Sequence, residues 1–377
     1  MIQIKGNIIL IGDTHFGVKR FSIEMLKNQI RFFNEQVFPY MEKNNIKQIF
    51  QFGDIFDNRT TVDIIWMDYI KKYFFDVLLD KDITLYTLKG NHDLALRETR
   101  RIALIDTFAE MYQNIKVFTE KEVIDINGFK TLIVPWLVKG EDLTYEDIKN
   151  MDYVFGHLEL RNFEMTKGHC DTSAKLTKEF FEQSLNIKGV YSGHYHLKRD
   201  NGVIQYLGTP FQINFADYDE EKGFYDFDGI NLEFFENTSS KKFIKVKYND
   251  EDPSTDRNIE VSGLFKYSKL LTDEEYKILL PELDKHEIKF FINKAKDRHF
   301  DEILYTMKEN KIHATVVDNQ EISQIIGTDY IEDKELDVQE KDTRTLITDT
   351  VKEHKEDLLP LLLDIFREID STISKEV

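Results

Sequence analysis

Short, mostly apolar runs recur along the first part of the chain, at 8–11, 49–52, 83–88, 153–155 and 190–191. Each is too short for a helix and stops at a polar loop, so each reads as a strand buried on both faces. Between the first three the period changes to that of a helix. Ile23, Leu26, Ile30, Phe33 and Val37 fall on one face behind Ser22, a ready N-cap. Strand and helix alternate, which predicts an α/β fold. The pattern continues through 203–207, a Gly-Thr-Pro turn at 208–210 and an alternating run at 223–235, giving a first domain over 1–235. The segments 64–79 and 102–111 carry more apolar residues than one copy needs for its own core, which predicts a homodimer surface.

Beyond 235 the pattern breaks. Polar stretches at 237–242 and 250–258 precede a smaller alternation of strands and helices, which predicts a second, α+β unit over 240–325. Residues 326–342 are dominated by charge and read as a linker. The final segment, 343–377, is helical in pattern. Leu358, Leu362, Ile365, Phe366, Ile369 and Ile373 trace one stripe, with Pro360 in a first turn where its ring is tolerated. Such a stripe needs a partner surface. After a charged linker, another protein's helix is the expected one, and this chain's own domains are the alternative.

Composition narrows the picture. At 377 residues and 41% hydrophobic, the chain has enough apolar material for more than one core. One cysteine, Cys170, rules out an internal disulfide framework and a thiolate-rich metal site. No apolar run approaches the ~20 residues of a membrane span and no segment reads as a secretion signal. A cytoplasmic protein without membrane association is expected. The net charge of −19 argues against a uniformly basic nucleic-acid binder. Even so, cations follow the loops described next: Lys19, Arg20, Arg59, Arg97, Arg100, Arg101, Lys198 and Arg199. They are candidate phosphate contacts.

The chemistry is in the loops that end the strands. They read GDTH at 12–15, GD at 53–54, GNHD at 90–93, GH at 156–157 and GHYH at 193–196. Five of the ten histidines lie in them, beside three carboxylates and an amide, the donors of a two-metal hydrolase. Asp13 and His15, two apart, point the same way from an extended segment and can share an ion, as can His194 and His196. Asp54, alone after its strand, suits a bridge between two ions. Asn91, His157 and His194 would complete the second. Oxygen and nitrogen donors without sulfur fit manganese, iron or zinc. His92 should point away from the ions, free to stabilise a transition state or protonate a leaving oxygen, with Asp93 to orient it.

Taken together, Asp13-x-His15, Asp54, Asn91-His92-Asp93, Gly156-His157 and Gly193-His194-x-His196 resemble the calcineurin-type metallophosphoesterases. Within that family GDIFDNR, the long segment after the core and the C-terminal apolar helix resemble the SbcD and meiotic-recombination-eleven nuclease subunits. The likeness includes the phage recombination endonuclease subunits, through GHLELRNFEMTKG and SGHYHLKRDNGVIQYLGTP. It is specific over 1–235 and architectural beyond. The resemblance implies a β-sandwich flanked by helices, a small α+β capping domain that binds DNA, and two divalent ions, Mn(2+) first among them. It implies Asp13, His15, Asp54 and His196 on one ion, and Asp54, Asn91, His157 and His194 on the other. His92 would be catalytic. It further implies a homodimeric 3′-to-5′ exonuclease and endonuclease that works on DNA with an SbcC-type coiled-coil ATPase, in the host cytoplasm if phage-encoded. Asp57 departs from several members, which have histidine there, and this bears on the exonuclease–endonuclease balance. A small-molecule phosphodiesterase or phosphatase of the same fold is the enzymatic alternative, and a non-catalytic scaffold the other.

Overall fold

Backbone register explains why the five polar loops meet. Strands Ile8–Ile11, Gln48–Gln51 and Thr84–Leu88 lie parallel, with Ile11 opposite Gln51 and Gln51 opposite Thr87. The loops that follow therefore leave one sheet edge at one level. In a second sheet Tyr153–His157 and Gly189–Gly193 are parallel, with His157 opposite Gly193. The computed structural model describes residues 1–248, 259–265, 267–283, 285–292, 305 and 314–318.

The first sheet has six strands, ordered Leu232–Glu236, Gly223–Phe227, Ile8–Ile11, Gln48–Gln51, Thr84–Leu88 and Ile115–Phe118. The second has seven, ordered Gln3–Ile4, Glu122–Ile126, Phe129–Val134, Tyr153–His157, Gly189–Gly193, Ile204–Tyr206 and Arg199–Asp200. Alternate side chains sort into layers. Ile8, Leu10, Phe50, Phe52, Phe155 and Phe227 fill the space between the sheets, with Phe50 edge-on to Phe155 at 5.2 Å. Ile9, Ile11, Ile49 and Leu85 face the other way, into helices carrying Leu26, Ile30, Trp66, Phe75 and Phe108. On the far face of the second sheet, Val154, Val190 and Ile204 pack with Leu143, Ile148 and Phe181. This is a β-sandwich flanked by helices, as the motifs implied. Each buried Phe or Leu stabilises it by roughly 1.5–3 kcal/mol.

The predicted helix behind Ser22 runs Ile23–Phe32, capped by the Ser22 hydroxyl accepting the Met25 N–H at 3.2 Å. It passes into a π-turn, Phe33–Val37, and the helix over Ile64–Ile70 does the same at Lys71–Phe75. Phe33 and Phe74 meet between the two turns at 4.8 Å. Trp66, Ile70, Phe74 and Phe108 go into this copy's core, while Ile64, Ile65, Ile102 and Met111 remain exposed at 83%, 74%, 54% and 49%.

By compactness the chain divides into 1–290 with 297–316, and 291–296 with 317–377. In the first unit, strands Phe243–Tyr248, Ile259–Ser262 and Lys269–Leu271 belong to a further sheet, accompanied by the helix Asp273–Leu283. The expected linker at 326–342 and the apolar stripe at 358–373 lie outside the described residues.

Candidate metal centre

Three of the loops present their donors from an unusual backbone shape. His15, Asp54 and His194 have φ of 44°, 51° and 91°, left-handed values that cost non-glycine residues of order 1–3 kcal/mol. Hydrogen bonds hold them there. The Asp93 carboxylate accepts the N–H groups of Asp54 and Gly90, both at 2.8 Å. The buried Gln51 side chain receives the Thr87 hydroxyl at 2.6 Å and the Gly53 N–H at 3.0 Å. Two motif glycines are required by close approach. A Cβ on Gly90 would stand 2.2 Å from Asp54 Oδ1, and one on Gly193 2.3 Å from Asp13 Oδ1.

The donors converge as two groups. Asp13, His15 and His196 form one, Asp54, His157 and His194 the other, the ligand atoms of each within 4.8 Å of one another. Asn91 Oδ1 lies 2.9 Å from His157 Nε2 and 3.0 Å from His194 Nδ1. Asp54 Oδ2 stands between the groups, 3.3 Å from His157 Nε2 and 3.9 Å from His15 Nε2. His157 donates its Nδ1–H to the Phe52 carbonyl at 2.8 Å, which turns Nε2 inward. His15 and His196 face each other Nε2 to Nε2 at 3.0 Å, and Asp13 Oδ1 is buried with no hydrogen-bond partner. Imidazole nitrogens from two loops converging on one point and a buried carboxylate oxygen without a donor fit two divalent cations.

Electrostatics point the same way. Burial pushes the Asp13 carboxyl up to about 7. Asp54 stays well below the carboxylate range although burial opposes it, because His157 and His92 stabilise its charge. At His157 burial works against the imidazolium, but Asp54 and Asp13 prevail and push it up to about 10. His15 reaches about 9 in the same way, through Asp57 and Asp54. Burial, then the charge of His15, holds His196 well below its usual value. Metal-free protein at pH 7.5 therefore carries protons on His15 and His157, which a cation must displace. Calorimetry at that pH in buffers of different ionisation enthalpy should record release of about two protons. Apparent affinity should rise with pH until about 9–10. Metal uptake without proton release would contradict these charge states.

The remaining predicted residues divide. His92 donates Nδ1–H to the Asp57 carbonyl at 3.0 Å and stands edge-on to His15 at 4.9 Å, and with His15 and Asp57 it makes a third group whose potential ligand atoms lie within 4.8 Å of one another. Asp93 does not orient it, because its oxygens are committed to the backbone amides of Asp54 and Phe56 on the neighbouring loop and of Gly90 on its own. Arg100 is a correction too: it is 6% exposed, and its guanidinium is spent on Glu120, Glu141 and the Trp136 carbonyl. Arg199 pairs with Glu164 and Glu220, and Lys198 with Glu221. Lys19, Arg20, Arg97 and Arg101 are exposed, and Arg59 lies near enough to His92 to repel its imidazolium.

Other contributors are not among the candidate ligands. Asp57, marked in the sequence only by departing from family members with histidine there, places its Oδ1 3.2 Å from His15 Nδ1. Trp136 packs on His194 at 5.0 Å, walling one side of the centre. Lys222, 5% exposed, donates to the His196 carbonyl at 2.7 Å and to Asp217 at 2.8 Å, bracing the last ligand loop.

A two-sheet sandwich whose strand ends gather two sulfur-free donor groups defines a metal-dependent phosphoesterase. The family described as calcineurin-like phosphoesterases matches residues 6–198, over half of the chain, and the chain belongs to that family, whose members use divalent metals. It is similar to exonuclease subunit 1 of Enterobacteria phage T4, 31% identical over 224 residues, covering 59% of this chain and 64% of that protein. The match thus spans a little under two thirds of that relative. Among solved structures, GAP50, the anchor in the inner membrane complex of Plasmodium, aligns at 11% identity with a TM-score of 0.31, over 84% of this chain and 99% of that one. So loose an overlap bears no functional weight. Among the described residues no helix is long and apolar enough to cross a membrane.

Proposed function

We propose that this chain is the nuclease subunit of a DNA end-processing complex, cutting phosphodiesters as a 3′-to-5′ exonuclease and an endonuclease with two manganese ions. The observation that carries this reading is the pair of donor groups with Asp54 between them. Asp13, His15, Asp54 and His196 would hold one ion, and Asp54, Asn91, His157 and His194 the other. Such ions supply charge neutralisation at a phosphodiester and a nucleophile from water.

The protein's own groups do the rest. Asp93, Gln51 and Lys222 fix the loops, and Trp136 keeps water from one side. His92 holds its Nδ1 proton on the Asp57 carbonyl, so any second proton sits on Nε2. Burial lowers its pKa, and an incoming phosphate charge restores the imidazolium, which then gives the Nε2 proton to the leaving oxygen.

The likeness to an exonuclease subunit supports nucleic acid as substrate and a partner protein, here an SbcC-type coiled-coil ATPase. Exposed Ile64, Ile65, Ile102 and Met111 support a homodimer. Purified protein with manganese should degrade linear duplex and single-stranded DNA. Hydrolysis of a chromogenic phosphodiester with DNA left intact, ATPase present or absent, would move the reading to a small-substrate enzyme. No hydrolysis at all would leave a scaffold. The stripe containing Leu358, Leu362, Ile365, Phe366 and Ile369 is the proposed ATPase-binding surface. Phe366→Asp should abolish co-purification with the ATPase yet preserve manganese-dependent cutting of short oligonucleotides. Insoluble protein instead would assign the stripe to this chain's own core.

A further inference from the structure

Three aromatic rings on and beside a turn that Lys222 ties to the His196 loop are occupied by lysines from four separate stretches of chain. Lys19 stands 4.5 Å from the Phe243 ring centroid, and Lys289 4.6 Å from that of Phe215. Lys167 and Lys245 share Tyr218, at 4.3 and 3.8 Å. Phe215 and Phe243 are in edge contact at 4.8 Å, and Phe215 and Tyr218 bound the turn Phe215–Asp217, so the rings form one platform. Asp217 anchors it: its carboxylate meets Lys222, whose ammonium also binds the His196 carbonyl, so the platform is tied to a ligand loop.

Gathering ammonium groups this way is unfavourable for an isolated protein. Packing against Phe243 takes water from the Lys19 ammonium and lowers its pKa, and Lys241 and Lys289 lower it further against the pull of Glu287. Carboxylates offset part of the charge, Glu220 reaching Lys167 at 3.5 Å and Glu287 reaching Lys241 at 4.0 Å. The chain as a whole carries −19, so the cluster is not a reflection of composition. Ring contacts also pin these long side chains, reducing the rotamer entropy that an anion would otherwise have to overcome.

We propose that this lysine-on-aromatic platform is a phosphate-backbone track that leads a DNA strand to the metal centre, with Lys245, Lys289 and Lys167 as phosphate-binding residues that motif reading did not single out. The inference rests on the nuclease reading and adds where the substrate lies. Its test is anisotropy of a labelled single-stranded oligonucleotide without manganese, so that nothing is cut, using the full chain.

The Lys245→Gln/Lys289→Gln double variant should bind roughly tenfold more weakly at moderate salt. Its plot of log affinity against log salt should flatten by about 1.4, near 0.7 for each single-strand phosphate no longer neutralised. Glu287→Gln, which removes a counter-charge, should bind more tightly. An unaltered melting temperature and manganese uptake establish that the double variant is folded, and the Glu287→Gln arm decides the matter if it is not. Parental protein that binds DNA, with affinity and slope unchanged in the double variant or no tightening in Glu287→Gln, overturns the track and leaves the nuclease reading standing. Parental protein that binds no oligonucleotide overturns the track, and the manganese cleavage assay alone then decides the nuclease reading.

Discussion

Asp54→Asn should lower phosphodiester cleavage by at least ~10³-fold and weaken metal binding at both positions at once. Charge stabilisation by bound ions contributes several kcal/mol, and each tenfold in rate corresponds to about 1.4 kcal/mol. The substitution preserves shape. Asparagine tolerates the left-handed φ of 51° at this position and keeps an oxygen for the His92 N–H, which Asp54 Oδ1 accepts at 2.7 Å. It removes the one negative charge placed between the two donor groups. Manganese titration followed by calorimetry, alongside a cleavage assay, checks both halves. Loss of a single ion with the other bound normally would show that Asp54 serves one group only.

His92→Ser should cut turnover by roughly 10²–10⁴-fold, the range for a positioned general acid, while manganese uptake and oligonucleotide binding stay near parental values. The separation follows from geometry. Its main-chain N–H, which serine retains, supports Asp54, whereas its ring belongs to neither donor group that includes Asp54 or Asp13. The ring does join His15 and Asp57 in a third cluster. Metal uptake that falls in step with turnover would therefore make His92 a ligand and not an acid.

Much of the site is legible in the chain alone. Buried strands show as mostly apolar runs, and Ile8–Ile11 and Thr84–Leu88 appear within a residue of where those runs lie. The seven metal donors named from the motifs lie together in the structure. The misjudged residues are those whose partners are far away in sequence. Arg100 looks like a rim cation beside Arg101, yet Glu120 and Glu141 draw it inside. Asp93 looks like a partner for its neighbour His92, yet it spans to the loop of Asp54. The π-turns at Phe33–Val37 and Lys71–Phe75 also escape a 3.6-residue period, because they arise where two helices fit their aromatic rings together.

Local order along the chain was enough to indicate the α/β class, the strands that end at the five polar loops and the candidate donors in those loops, since backbone period and side-chain chemistry are properties of neighbouring residues. Only folding in three dimensions decided which oxygen faces which nitrogen, that Asp57 and Lys222 support the ligand loops, and that lysines from four stretches share one aromatic platform. Those outcomes depend on strand register and on approaches between residues far apart in the chain, such as His15 and His196 at 181 positions, whose spacing no local pattern encodes.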